Sequence, residues 1–145
     1  MVLSRDNGGP GAMGKFRCPC GQTISDIEHP RPNAGRLVKE QDEESYFGGA
    51  ARELAGLVAA VTAGTRDEWI RERFGDDYPK DLDDESVIWD LFTAYNVEYT
   101  LLVDECEGCG RLHVQSRPGS SRAASYAPDS KRPAGILRSA SPAAK

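Results

Sequence analysis

Four cysteines, arranged as two pairs, are the residues whose types and spacing point most directly to chemistry. They lie in the segments CPCG at 18–21 and CEGCG at 106–110, with 85 residues between Cys20 and Cys106. Two thiolates in a tight turn can occupy two corners of the tetrahedron that Zn²⁺ prefers, at Zn–S distances of about 2.3 Å. We therefore predict a closed site for one structural Zn²⁺, with iron as the lesser alternative, held by Cys18, Cys20, Cys106 and Cys109.

The two cysteine turns share a second feature, a glycine directly after the second cysteine. Gly21 and Gly110 stand where a metal-binding turn commonly needs a positive φ, which glycine adopts without steric cost. The first turn has one residue between its cysteines instead of the commoner two, so a histidine could be needed to complete the site. We expect neither histidine to do so, because His29 lies in a proline-rich loop and His113 lies on a return strand, at the surface or half-buried.

Two other uses of the cysteines remain open. Disulfides are one, but the N-terminus lacks the apolar run of a secretory signal, so we expect a cytoplasmic, reducing compartment in which structural disulfides are rare. Redox chemistry is the other, and a reactive Cys-x-x-Cys is favoured at a helix N-terminus. Cys106 and Cys109 instead follow a predicted strand, beside the carboxylates of Glu105 and Glu107, which disfavour a reactive thiolate.

The segments around the cysteines have the patterns of β-strands. Short strands are predicted at 15–18 and 22–26, on either side of the first turn, with a third candidate at 36–39. Before the second turn, 97–104 alternates like a strand with one buried face, and 111–114 can return beside it as a hairpin.

The middle of the chain has helical periodicity and is predicted to form three helices. The first ends at Gly64, the second opens with a capping-box sequence at 65–68, and the third begins near Asp83 or Asp84 and ends around Asn96. Apolar positions at helical spacing are expected to face the core: Phe47, Ala50, Ala51, Leu54, Leu57, Val58, Val61, Trp69, Ile70, Phe74, Ile88, Trp89, Leu91, Phe92 and Tyr95.

The fold class that this order predicts is α+β, with zinc-ribbon β-hairpins from both ends of the domain and a three-helix insertion at about 42–96. The glycine-rich segment 1–13 is expected to be a disordered extension, with translation starting at Met1 or Met13. A disordered tail is expected over 115–145, which has almost no large apolar residues. That tail has six basic residues and one acidic residue, whereas the predicted domain at 14–114 has a net charge of −10.

The cysteine segments FRCPCG and VDECEGCGRLHV resemble the split zinc ribbon of small, largely uncharacterised bacterial proteins, in which a helical insertion separates two cysteine turns. The resemblance covers about 14–47 and 84–115. It implies a ribbon fold with a structural metal on the four cysteines, and it implies no activity.

Several classes of function lack their sequence signatures. The most apolar stretch, 54–64, is far shorter than the roughly 20 residues of a membrane-spanning helix, so we expect no integral membrane protein. No phosphate loop, nucleophile elbow or His-Glu-x-x-His motif is present, and we expect no enzymatic activity.

The remaining interpretation is a non-enzymatic, zinc-stabilised protein-interaction or adaptor module, whose helical insertion would offer a surface to a protein partner. A nucleic-acid-associated regulator of the transcription type is the alternative, because the tail is basic. Against it, a domain with a charge of −10 repels the phosphate backbone that supplies most non-specific affinity. A thiol redox protein is the weaker alternative.

Overall fold

The computed structural model describes residues 2–4, 15–27, 29–129 and 135–138. The chain divides into two compact units. The first combines the two ends of the sequence, Met1–Leu37 and Thr100–Lys145, and the second is the continuous segment Val38–Tyr99. Strands lie at both ends of the sequence around a helical middle, so the predicted α+β class is confirmed.

The strands form two sheets. They are β1 (Val2–Ser4), β2 (Lys15–Arg17), β3 (Thr23–Ser25), β4 (Ala34–Val38), β5 (Thr100–Glu105), β6 (Leu112–Gln115) and β7 (Arg122–Tyr126). Strands β2 and β3 form an antiparallel hairpin by themselves. The other strands form one sheet in the order β1-β7-β6-β5-β4, in which β1/β7, β7/β6 and β6/β5 are antiparallel pairs. The two predicted hairpins therefore exist, one around each cysteine turn.

The β2/β3 hairpin has one buried face and one exposed face. Phe16 and Ile24 lie opposite each other and are buried, whereas Lys15, Arg17 and Thr23 are exposed. This alternation follows from the two-residue period of a strand. The buried pair packs against the sulfur-bearing side chains of Cys18 and Cys106 and so fixes the hairpin at the cysteine cluster.

The helical unit contains three α-helices, and all their ends except the C-terminus of α3 agree with the sequence signals. They are α1 (Gly49–Ala63), α2 (Arg66–Phe74) and α3 (Asp84–Tyr99). Gly64 ends α1 with a left-handed φ of 76°. Asp83 is the N-cap of α3, because its carboxylate accepts a hydrogen bond of 2.8 Å from the backbone N–H of Ser86. Thr65 begins α2 as predicted, but its side chain makes no capping hydrogen bond.

Two irregular helical turns, one tighter and one wider than an α-helix, precede α1. A 3₁₀ turn at Glu40–Asp42 and a π-helical turn at Glu44–Gly48 precede the regular helix. The weak helix propensity of Gly48 and Gly49 agrees with this irregular start.

Two clusters of buried residues hold the helices together. Leu57, Ile70 and Val87 form one, with one residue from each helix. Ala50, Leu91 and Tyr95 form the other, between α1 and α3. Several positions expected in the core are instead exposed: Phe47, Ala51, Val58, Val61, Trp89 and Phe92. These expectations were wrong because helical spacing does not identify which flank of a helix a neighbouring element covers.

The strand predicted at 97–104 is wrong at its beginning. Helix α3 continues to Tyr99, and β5 begins only at Thr100. Tyr99 stacks on Tyr95, four residues earlier, with ring centroids 5.8 Å apart. Side chains four residues apart meet on a helix, and this contact favours another helical turn over an extended chain.

The structure also differs from the disorder expected at the two ends. Val2–Ser4 pairs with Arg122–Tyr126, so a strand from 1–13 lies beside a strand from 115–145. Composition suggested disorder because β7 has few large side chains, yet Ala123 is buried and the backbone of β7 pairs with β6. The rest of 1–13 and most of 130–145 fall outside the described residues.

Candidate metal centre

Two tight turns present the four cysteines, and each turn is closed by backbone hydrogen bonds. In the first, the N–H of Gly21 donates to the carbonyl of Cys18 at 2.8 Å. In the second, the N–H of Gly110 donates to the carbonyl of Cys106 at 2.7 Å, so this hydrogen bond spans one residue more than the bond in the first turn. The longer Cys-x-x-Cys spacing is thus accommodated by a wider turn of the same kind.

The glycines in these turns have the conformation that the sequence predicted. Gly21 has φ of 96° and Gly110 has φ of 72°, both in the region that favours glycine. A side chain at either position would be strained, so each turn depends on its glycine.

The turns bring all four predicted sulfurs together. The Sγ atoms of Cys18, Cys20, Cys106 and Cys109 lie within 4.8 Å of one another. The distances Cys18 Sγ to Cys109 Sγ and Cys20 Sγ to Cys106 Sγ are both 3.6 Å. Bonds of about 2.3 Å in a regular tetrahedron separate neighbouring sulfurs by about 3.8 Å. The observed spacing therefore fits four ligands around one ion, whereas disulfide sulfurs are only about 2.05 Å apart.

The four thiols lie in different environments. Cys18 and Cys106 are buried, Cys109 is intermediate and Cys20 is exposed. Burial raises the pKa of the Cys18 thiol to about 12 and also raises the pKa of Cys106. A hydrogen bond from the backbone of Gln22 lowers the pKa of Cys20 to about 7. A cation shared by the four sulfurs would compensate the cost of burying thiolates at the two inner positions.

Neither histidine belongs to the group of four ligand atoms. His29 is exposed in its loop. His113 was expected at or near the surface, but it is fully buried. Its ring packs edge-on against Phe16, with centroids 5.0 Å apart, and so links β6 to the hairpin that carries the first turn. The strand pattern around 113 missed this burial because the β2/β3 hairpin that packs on His113 is distant in the sequence.

A buried ion pair lies beside the second cysteine turn and was not found from the sequence. Arg31 pairs with Asp104, whose side chain is fully buried, and only 9% of the Arg31 side chain is exposed. Asp104 also lies opposite His113 in the β5/β6 register. No local pattern could predict this pair, because 73 residues separate its members.

Glu105, the next residue, is a second buried carboxylate that the sequence did not reveal. Its backbone N–H donates to the carbonyl of Asn33 at 2.7 Å. Its carboxylate accepts hydrogen bonds from the backbone N–H groups of Gly135 at 2.8 Å and Leu137 at 3.3 Å. A short segment of the predicted tail is therefore attached directly beside Cys106.

The chain matches a protein family over residues 14–130, under the description Domain of unknown function (DUF8617). It belongs to the DUF8617 family. The matched region includes both cysteine turns and continues through β7, beyond the predicted domain end at 114. No curated protein and no solved structure matches the chain. The resemblance to a split zinc ribbon stays a prediction, supported here by the cysteine geometry. None of the helices in the described parts of the DUF8617 chain is both long and apolar enough to cross a membrane.

Proposed function

We propose that this protein is a non-enzymatic, zinc-stabilised protein-interaction module. The observation that carries the proposal is the convergence of four sulfurs from the two ends of the sequence within 4.8 Å. The ligands to the ion are Cys18, Cys20, Cys106 and Cys109.

Zinc suits this donor set better than the alternatives. Four thiolates at tetrahedral spacing are typical of structural Zn²⁺ or of a single iron ion, and hard ions such as Mg²⁺ or Ca²⁺ prefer oxygen ligands. When bound, Zn²⁺ supplies no redox chemistry and acts as a cross-link. Iron is the lesser alternative, since it accepts the same ligands.

A structural role follows from the number of ligands. Catalytic zinc sites keep one position open for water or substrate, whereas four cysteines fill every position of a tetrahedral site. The second turn also follows β5 instead of opening a helix, which is the position that commonly activates a redox cysteine. The cysteine cluster is therefore a clamp on which the rest of the protein presents a surface.

Native mass spectrometry of the full chain tests the metal assignment. We expect one Zn²⁺ per chain, and its loss in Cys106→Ser. Ala63→Ser, on the exposed end of α1, is the matched control and keeps the ion. Visible absorption of a ferric thiolate would identify iron instead. Four freely titrating thiols in a fully folded, metal-free protein would contradict the proposal.

A second candidate function, association with nucleic acid, gains support from the distribution of charge. Val38–Tyr99 has 16 acidic and 6 basic residues, so the acidity of the protein resides in the helical unit. The unit that contains the cysteines has 12 basic and 7 acidic residues when the tail is included. The net negative charge of the predicted domain argued against binding to a phosphate backbone. That argument therefore applies to the helical unit and not to the unit that contains the cysteines.

Gel shifts at two salt concentrations separate the two candidates. A chain that ends at Asp129 removes four basic residues while keeping β7. Because it also removes the N–H donors of Gly135 and Leu137 to Glu105, its zinc content and circular dichroism are measured beside its binding. Strong binding with a steep salt dependence, lost in the shorter chain, would favour the nucleic-acid function. Equal and weak binding by both chains favours the interaction module.

A further inference from the structure

An uncovered apolar flank of the helical unit is the feature that carries a further inference. Five large apolar side chains of α1 and α3 are well exposed: Val58 at 60%, Val61 at 43%, Trp89 at 73%, Phe92 at 41% and Val97 at 60%. Four of them lie on one side of the unit, as the helix geometry shows.

Helix α2 covers only one side of the α1/α3 pair. Gly56 of α1 lies against Trp69 of α2, and Asp90 of α3 accepts a hydrogen bond of 2.6 Å from Tyr78, just after α2. These contacts mark the flank on which α2 and its following turn lie.

The opposite flank is apolar on both helices. Successive residues are 100° apart around an α-helix, so Val58 lies on the other side of buried Leu57 from Gly56. Phe92 likewise lies on the other side of buried Leu91 from Asp90. The two helices are antiparallel, since Gly49 lies against Tyr95 while Leu57 packs with Val87.

In an antiparallel pair these two flanks meet on the same side. We call this surface the α1/α3 face and define it by Leu54, Val58, Val61, Ile88, Trp89 and Phe92. Leu54 and Ile88 are half-buried and form its floor, because each also contacts a core cluster. The fifth exposed residue, Val97, points away from it.

Acidic residues lie at both ends of the α1/α3 face. Glu43 precedes α1 at one end, where Glu98 also lies, and Glu85 lies in the first turn of α3 at the other. Glu44 and Asp84 are near the same ends but already pair with Arg52 and Arg66. The unit as a whole has a net charge of −10. An apolar stripe between acidic ends is complementary to an amphipathic helix with basic residues beside its apolar stripe.

We propose that the α1/α3 face binds a basic amphipathic helix of a partner protein. The inference deepens the proposed function and rests on it for the role of the module. Helix α1 has 15 residues, about 22 Å in length, so a partner helix of about 15 to 18 residues spans the face.

The charge distribution argues against the other occupants. A second copy would bring two acidic units together, and an anionic membrane would repel the same residues. The protein's own tail is basic, but beyond Tyr126 its only large aliphatic residues are Ile136 and Leu137. The N–H of Leu137 is bound to Glu105 in the other unit.

The test uses the full, metal-loaded chain and a labelled helical peptide of about 18 residues, built from Leu and Lys with Leu at helical spacing. A peptide of the same composition with scrambled order is the peptide control. Val58→Ser and Phe92→Ser remove apolar side chains from the face. Val97→Ser is the matched protein control, because Val97 and Val58 are both 60% exposed.

We expect saturable binding of the ordered peptide, measured by fluorescence anisotropy and weakened by salt. Val58→Ser and Phe92→Ser weaken binding about tenfold, whereas Val97→Ser changes it less than twofold. The scrambled peptide binds at least tenfold more weakly. Circular dichroism of each variant confirms that its helices remain intact.

Four results would overturn the proposal. They are no binding of the ordered peptide, equal binding by the face variants, self-association that Val58→Ser abolishes, and sedimentation of the protein with phosphatidylglycerol vesicles. Metal content is measured on the same sample. If the zinc-loaded protein does not bind the peptide, the proposed partner is refuted, but the zinc-stabilised module is not. If a folded, metal-free protein binds the peptide, the proposed partner is supported and the structural role of zinc is refuted.

Discussion

Removal of the metal should destabilise the unit that contains the cysteines and leave the helical unit largely folded. The ion would join two turns separated by 85 residues between Cys20 and Cys106. Because the helical unit stays folded within this loop, only 21–37 and 100–105 become flexible, and a cross-link over such a length lowers the entropy of the unfolded state by the equivalent of about 3 to 4 kcal/mol at 25 °C. Small domains have a total stability of only about 5 to 15 kcal/mol, so the loss is a large fraction of it.

The buried side chains explain why the effect is confined to one unit. The core next to the sulfurs consists of Phe16, Ile24 and two of the cysteines themselves. The helical unit has its own clusters around Leu57 and Leu91, and neither includes a cysteine. Without the ion, the first core loses its cross-link, and the buried sulfurs of Cys18 and Cys106 lose the cation that would stabilise them as thiolates.

Amide hydrogen exchange with and without a strong chelator measures this difference. Protection should fall for Cys18–Gln22 and for Leu112–Gln115, while the amides of α1 and α3 change little. Urea unfolding of this unit should show a loss of about 3 to 4 kcal/mol in its free energy of unfolding, restored by added Zn²⁺. Chelator added to Cys106→Ser serves as the control and should have no further effect. Uniform loss of protection in both units, or no loss in either, would refute the reasoning.

Three further predictions follow from individual side chains. Cys20→Ser removes the exposed corner of the site, so competition with a chromogenic chelator should show weaker zinc binding with one ion still bound; a metal-free variant would contradict this. Arg31→Met removes the guanidinium that pairs with the buried carboxylate of Asp104 and should lower the free energy of unfolding in urea by about 3 to 5 kcal/mol, with unchanged stability as the contrary result. Burial and the hydrogen bond to Asp90 raise the pKa of Tyr78 to about 12, so its contribution is complete below about pH 10 and lost as the pH rises toward 12. Tyr78→Phe should flatten this alkaline loss in a series of unfolding curves, and an unchanged pH profile would argue against it.

The local signals in the sequence predicted most of what is local in the structure. Gly64 and Asp83 mark helix ends because a left-handed φ and an N-cap carboxylate act within one turn. The cysteine turns were predictable for the same reason, since spacing and glycine together specify a turn. Their convergence was a chemical inference, because four thiolates need a common ion, and it was confirmed as a cluster of sulfurs.

The features that the sequence did not predict depend on distant partners. Strand β7 consists mainly of small and polar residues, and its stability comes from backbone pairing with β6 and β1, which composition does not report. The burial of Glu105 depends on backbone N–H groups thirty residues later. The exposure of Trp89 depends on which flank of α3 is left uncovered. Helical periodicity predicts which residues share a face of the helix, but it does not identify the element that packs against that face.

The topology explains how one chain can combine these two units. The helical segment leaves the sheet at the end of β4 and returns at the start of β5, and these strands are neighbours. An insertion between adjacent strands leaves the order of the sheet unchanged, so the cysteine cluster and the sheet do not depend on the order of residues within the insertion. The apolar α1/α3 face can therefore be fitted to the proposed partner through exposed residues such as Val58 and Phe92, while the cysteine turns and their glycines keep the geometry that a tetrahedral ion would require.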